Sequence, residues 1–325
     1  MPVATSHSSD LTRGYTTALL SAAILSTSAI FIRYLAQAYR MPLLVLAFWR
    51  DALAALVLLL VMAWLRPLLL RVKRQHVLYL FVYGIVFAIF NILWTLSVSL
   101  NGAALATVLV YCSVAFTALL GWWLLKERLG WVKLLAIVFS LGGCVLVSGT
   151  LDPAAWHAYS VGILTGMLAG LCYAIYSLMG RSASQRGLNP WTTLFYTIGF
   201  AACFLLLFNL LPGDLFTAAA TYRADLFMLG SSAAGWGTLF LLAVGPTVLG
   251  FGFYNVSLGY LPSSVANLIA TLEPVFTAVI AYLLLGERLT GVQLTGSLMI
   301  LAGVASLRIY EGWLAGQTQA RPQTG

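Results

Sequence analysis

The second half of this chain repeats the first half, and both halves are written in a code that only a lipid environment tolerates. Shifted by 160 residues, Ala106–Leu146 falls on Ala266–Ser306 without a gap. Thr117, Ala118, Leu124, Leu125, Glu127, Arg128 and Leu129 land on Thr277, Ala278, Leu284, Leu285, Glu287, Arg288 and Leu289. Phe116, Val132, Leu134, Leu141 and Gly143 land on Phe276, Val292, Leu294, Leu301 and Gly303. The match runs through two apolar segments and the charged turn between them. Internal symmetry of this kind is found in membrane carriers whose path lies at the interface of the repeats.

Charged residues are 8% of the chain and hydrophobic residues 61%. A soluble domain carries about 25% charge to keep its surface wet, so lipid must be the main solvent here. The net charge of +8 forms no basic stripe of the sort that binds nucleic acid, and reads instead as a bias of loops on one face. Cys112, Cys144, Cys172 and Cys203 all sit inside apolar runs. They have no metal-ligand spacing and read as small packing residues. Neither a metal nor a cofactor is expected.

A span needs about 20 apolar residues. The pattern predicts ten: 15–35, 43–65, 77–98, 103–125, 131–149, 160–180, 191–211, 234–256, 263–285 and 290–309. The expected organisation is a tail (1–14), a five-helix repeat (15–149), a linker (150–159), a second five-helix repeat (160–309) and a tail (310–325), polar and disordered from Gly316 on. Met1–Thr12 has no basic n-region, so segment 1 is read as a span rather than a cleaved leader. Pro212–Ser232, partly apolar, reads as an interfacial helix. With the N-terminus in the cytoplasm, twelve Lys and Arg fall inside and three or four outside, so both termini are expected to be cytoplasmic. Five spans per repeat invert the second half in the membrane, which puts Glu127-Arg128 and Glu287-Arg288 at opposite faces.

Several runs resemble the EamA-type proteins of the drug/metabolite transporter superfamily. In the second half these are Phe253-Tyr254-Asn255…Gly259…Pro262-Ser263-Ser264-Val265-Ala266, Leu272-Glu273-Pro274-Val275-Phe276 and Leu284-Leu285-Gly286-Glu287-Arg288-Leu289. In the first half they are Ala47-Phe48-Trp49-Arg50 and Leu124-Leu125-Lys126-Glu127-Arg128-Leu129. One departure is Ser113-Val114, where the second repeat has Glu273-Pro274. The resemblance covers about residues 14–309 and implies an all-α, ten-helix inner-membrane carrier. It further implies an exporter of small metabolites, often coupled to protons, and says almost nothing about which metabolite.

Charges within the spans are the first candidates, because a buried charge in a membrane is costly and usually serves a cavity. Glu273 has two readings. It is a protonatable site for a proton or an ammonium group, or it steadies backbone groups freed by Pro274. Arg50 suits a substrate carboxylate, or snorkels to the outer interface and fixes the packing of segment 2. Asp51 is a counter-charge for Arg50 or for Arg33. Because neighbours on a helix point about 100° apart, Arg50 and Asp51 need not meet.

Uncharged polar residues form a pattern across the repeats. Asn91, Thr95 and Ser99 share a face of segment 3 with Trp94, and Tyr254 and Asn255 are the mates of Trp94 and Thr95. Thr107 and Tyr111 on segment 4 have Asn267 and Thr271 as mates on segment 9. Tyr173, Tyr176 and Ser177 lie together on segment 6, and Ser21 and Ser28 on segment 1. Taken together they predict one central cavity; taken singly, each can be an interhelical hydrogen bond worth about 0.6 kcal/mol. A lining of Trp and Tyr suits amino acids or amphiphilic organic cations. On a continuous helix Glu273 would sit about 200° from Thr271, which sets the two apart unless Pro274 bends the segment.

Gly162, Gly166 and Gly170 recur every four residues and predict a close helix approach; Gly142-Gly143 and Gly296…Gly303 do the same for segments 5 and 10. Gly245-Pro246 predicts a kink in segment 8. His7, His76 and His157 fall in the tail or loops, and no metalloprotease or phosphate-binding motif occurs, which argues against an enzyme. No filter sequence suggests a channel. A multidrug or organic-cation carrier stays open as an alternative, as does a non-transporting membrane partner. The expected partners are a small-molecule substrate, lipid and protons.

Overall fold

The computed structural model describes residues 4–113, 116, 119–120, 130–147, 153–211, 223–260, 269–270 and 272–320. Among these residues the chain is all-helical. In order the helices are α1 (Ala4–Leu25), α2 (Ser28–Ala38), α3 (Leu43–Leu65), α4 (Arg74–Asn101), α5 (Ala103–Val110), α6 (Trp131–Val147), α7 (Pro153–Gln185), α8 (Pro190–Leu210), α9 (Ala233–Leu242), α10 (Phe251–Tyr260), α11 (Glu273–Leu285) and α12 (Gly291–Ala320). A π-helical stretch, Ala243–Gly250, joins α9 to α10. Among the described residues, six stretches are long and apolar enough to cross a membrane: Thr12–Ala38, Leu43–Leu65, Arg74–Asn101, Ser160–Gly180, Pro190–Leu210 and Ala233–Ser257. Glu273–Leu285 and Gly291–Gly303 are shorter apolar helices. The expected spans 103–125 and 263–285 lie partly outside the described residues, as does most of the expected interfacial helix; of the latter, Arg223–Phe227 forms a short 3-10 turn.

The expected spans are often single helices broken in the middle, and each break has a chemical cause. Segment 1 is α1 and α2 joined by a turn at Ser26-Thr27. There the Ser26 hydroxyl donates to Ala23 O at 2.6 Å and the Thr27 hydroxyl to Ile24 O at 2.7 Å, so side chains take carbonyls that the helix would use. Segment 8 contains Pro246, whose missing N–H leaves Leu242 O open. The Thr247 hydroxyl donates to that carbonyl at 3.0 Å, and the backbone widens locally to π geometry. Segment 4 breaks at a turn over Tyr111-Cys112. Segment 9 breaks at a turn at Leu272, between helical residues 269–270 and a helix that starts at Glu273, with Pro274 in its first turn where its lack of N–H costs nothing.

Glycines set the close approaches. Gly162, Gly166 and Gly170 press α7 against the end of α4 and against α5: a Cβ on Gly170 would stand 3.0 Å from Val110 O, and one on Gly166 would stand 2.7 Å from the Ser97 hydroxyl. Helices α6 and α12 pack chiefly against each other, with Gly143 against the Gly296 carbonyl and Ile300. Two ends differ from expectation. Helix α1 starts at Ala4, and α12 runs to Ala320 through residues expected to be disordered. Ala315, Gln317, Gln319 and Ala320 are helix formers, and Pro322 lies beyond the helix end.

Candidate functional site

The breaks converge. Leu25 and Ser28 flank the break in segment 1, Tyr111 and Ser113 that in segment 4, Thr247 lies in the π stretch and Glu273 opens α11; all six line one central cavity. Backbone irregularity at membrane depth is tolerated where it is buried in protein or borders a water-filled space, and here it borders this space. The remaining walls are Arg50, Phe87, Phe90, Asn91, Trp94, Thr107, Val110, Tyr173 and Phe251. The free volume is about 60 Å3, room for several waters rather than an extended organic molecule. Loading therefore needs the walls to part.

Arg50, in the cavity wall, belongs to a neutralised pair. Arg50 and Asp51 are 3% and 0% exposed, yet Arg50 Nε donates to Asp51 Oδ1 at 3.1 Å. The long arginine stem bends around the helix to reach its own neighbour. Asn91 Nδ2, from α4, donates to the other carboxylate oxygen. Asp51 thus belongs to Arg50 and not to Arg33, which pairs with Glu287. Both charges are satisfied within the protein, as burial requires.

The cavity wall also holds a carboxyl, Glu273. Tyr111 Oη lies 3.1 Å from Glu273 Oε2, and the same hydroxyl donates to Ala270 O at 2.5 Å. A phenol has one proton to give. With Glu273 ionised, that proton is shared between carboxylate and carbonyl. With Glu273 protonated, the carboxyl donates to Tyr111 Oη and the phenol proton is free for Ala270 O. The two protonation states therefore make different bonds between segments 4 and 9, at the points where both are broken.

Around these groups stands an aromatic wall. Phe90 stacks on Trp94 at 6.4 Å with an interplanar angle of 10°, and meets Tyr173 at 5.7 Å with the rings tilted by 43°. Tyr176 lies behind, 5.3 Å from Phe87 and 4.8 Å from Tyr83.

Of the residues expected from sequence, Arg50, Asn91, Trp94, Thr107, Tyr111, Tyr173 and Glu273 meet in the cavity wall. Asp51 stands directly behind Arg50. Thr95 is fully buried off the cavity with its hydroxyl unpaired. Tyr176 supports the wall without lining it, Ser177 is exposed and returns its hydroxyl to Tyr173 O, and Tyr254 and Asn255 are half-buried outside the lining. Asn267 and Thr271 lie outside the described residues. Sequence reasoning passed over Phe87, Phe90, Phe251, Val110 and Thr247. Phe87, Asn91 and Trp94 sit at i, i+4 and i+7 of one helix face, and a threonine directly after a proline in a span was the signal for Thr247.

The EamA-like transporter family model matches residues 12–149 and again 160–309. The chain belongs to this family. It is similar to an "Uncharacterized transporter" of Archaeoglobus fulgidus, 29% identical over 67% of this chain and 73% of that one. It is also similar to a "Probable amino-acid metabolite efflux pump" of Salmonella typhimurium, 28% identical over 62% of this chain and 66% of that one. A solved crystal structure superposes with a TM-score of 0.62 at 17% identity, over 94% of this chain and 99% of that one, which shows a shared fold. This member of the family is a multi-pass membrane protein with a general transporter role.

Proposed function

We propose that this chain is a secondary carrier that exports amino acids or related small metabolites across the inner membrane, coupled to protons at Glu273. The observation that carries the reading is the charge balance of the cavity. Arg50 is neutralised by Asp51 at 3.1 Å, which among the described residues leaves Glu273 as the one carboxyl in the wall, with no basic partner there. A carboxyl among aromatic faces suits an ammonium group, and the same carboxyl suits a proton that competes with it. The names of the Salmonella typhimurium and Escherichia coli relatives, each a "Probable amino-acid metabolite efflux pump", favour the amino-acid class. In this reading the halves 15–149 and 160–309 are inverted, both termini are cytoplasmic, and alternating access exposes the cavity to each face in turn.

Glu273→Gln tests the proton role, because it keeps shape and hydrogen bonding but cannot ionise. In proteoliposomes the variant should keep solute exchange and lose uptake driven by a pH gradient. Wild-type pH coupling in Glu273→Gln would rule the role out. Glu273→Leu should do more harm, since it also strips Tyr111 of a partner. A second reading, efflux of amphiphilic organic cations, is favoured by the Phe90, Trp94 and Tyr173 wall. Competition decides between the two: a lipophilic phosphonium should displace a bound amino acid only if the cavity accepts a cation without a carboxylate.

A further inference from the structure

At one face of the bundle, four elements from both halves are tied by two side chains. Arg33, near the end of α2, donates from Nη1 to Ser99 O and, at 3.4 Å, to Val98 O, carbonyls of the last turn of α4. Val98 O also accepts from Gly102 N at 3.0 Å, and a cation at these last-turn carbonyls meets the negative end of the helix dipole. Glu287, just past the end of α11, accepts from Ala103 N at 3.0 Å and Ala104 N at 3.2 Å, the first amides of α5. These are the orphan donors of the next helix. Arg33 Nε and Glu287 Oε1 are themselves 3.5 Å apart. With its amide oxygen turned inward, Gln37 accepts from Arg33 Nε at 2.9 Å and Nη2 at 3.0 Å.

The corner that they clamp is Gly102, at φ +84°, between α4 and α5. A Cβ at Gly102 would stand 2.8 Å from Glu287 Oε1, so only glycine lets the carboxylate seat over the two amides. One residue thus comes from the second repeat and caps a helix of the first, while its cationic partner caps the preceding helix.

We propose that the Arg33–Glu287 pair, with the two helix ends that it caps, is a latch that holds the cavity shut at this face. The inference rests on the alternating-access reading. The cavity is small, at about 60 Å3. Parting α2 and α11 from the α4–α5 corner uncaps two helix ends in a single step, and the ion pair couples the two caps, so the latch is either made in full or lost. The partly exposed pair (side chains 22% and 19% exposed) is close enough to water for the freed groups to be rehydrated. That keeps the two states near in energy, as a gate requires. The set also recurs in sequence. A shift of 148 carries Arg33, Gln37 and Pro42 onto Arg181, Gln185 and Pro190, and the shift of 160 carries Glu127 onto Glu287. Each repeat therefore owns the same arginine, glutamine and glutamate, as expected of a device that an inverted pair needs once per face.

Thiol labelling tests the latch without any solute. In a cysteine-free background, Ser28→Cys places a reporter in the cavity wall. Arg40→Cys, exposed in the loop after α2, identifies the latch face. Glu287→Gln removes the charge, and Gly102→Ala displaces the carboxylate without changing any charge. Each should raise labelling of Ser28→Cys by an impermeant maleimide from the latch face about tenfold, and lower it from the opposite face. Unchanged labelling from the latch face in both folded variants would overturn the proposal. So would an equal rise from both faces, which would mean a loosened bundle. A chain that moves neither amino acids nor organic cations can still pass, so this outcome and that of the Glu273→Gln test fail separately.

Discussion

Helices α6 and α12 have an unbroken backbone over their described lengths, whereas segments 1, 4, 8 and 9 are each interrupted. The first group packs chiefly on itself through small residues; the second surrounds the cavity. In lipid every amide and carbonyl must find a partner within the protein. A lipid-facing helix meets that demand only by staying regular. A helix beside a cavity can break, because Thr247, Tyr111 and Thr277 supply hydroxyls for the carbonyls that its breaks leave open; Thr277 Oγ1 donates to Ser26 O at 3.1 Å. Among the described residues the breaks therefore lie in the working part of the bundle, whose walls the regular helices α3, α4 and α7 complete, while α6 and α12 belong to its frame.

The contrast can be broken at four places. The largest effect belongs to Asp51→Leu, which leaves Arg50 charged and buried; a loss of about 3–5 kcal/mol is expected, read as a lowered melting temperature in detergent, with Asp51→Asn milder. Gly143→Ala should cost about 1–3 kcal/mol, because the new Cβ would stand 2.6 Å from the Gly296 carbonyl as well as from the Ile300 side chain, and the backbone cannot yield. It acts on the frame, so the solute KM should not change. Thr247→Val reopens Leu242 O and should cost about 1 kcal/mol, yet alter transport more than Gly143→Ala does, since it acts on a break. Leu283→Ala, at a position 70% exposed, should change stability by less than about 0.5 kcal/mol. If Gly143→Ala shifted KM while Thr247→Val did not, the division into frame and working part would be reversed.

The regular parts of this fold were legible in the sequence, because apolar runs and a gap-free internal repeat report helices directly. The breaks were legible where proline or glycine made them, at Gly245-Pro246 and near Pro274. The break at Ser26-Thr27 was not, since it comes from short hydroxyl bonds to the preceding turn, and Ser and Thr are equally at home inside spans. The separation of about 200° between Thr271 and Glu273 assumed a continuous helix, but α11 starts at Glu273 after a turn. Pairing was the least legible feature. Arg50 bonds its own neighbour against the helical geometry of ideal side chains, and Arg33 finds Glu287 from the far end of the chain. Composition and spacing hold no record of either.

The central claim is that solute passes through the cavity among the broken helices and nowhere else. Counterflow of labelled amino acids and of a lipophilic phosphonium in proteoliposomes tests it with two tryptophans. Val110→Trp fills the cavity wall, and Val138→Trp sits on the outer side of α6 at a position 59% exposed. The account predicts saturable counterflow that Val110→Trp abolishes and Val138→Trp leaves intact. Saturable counterflow that survives Val110→Trp in a folded protein would contradict it.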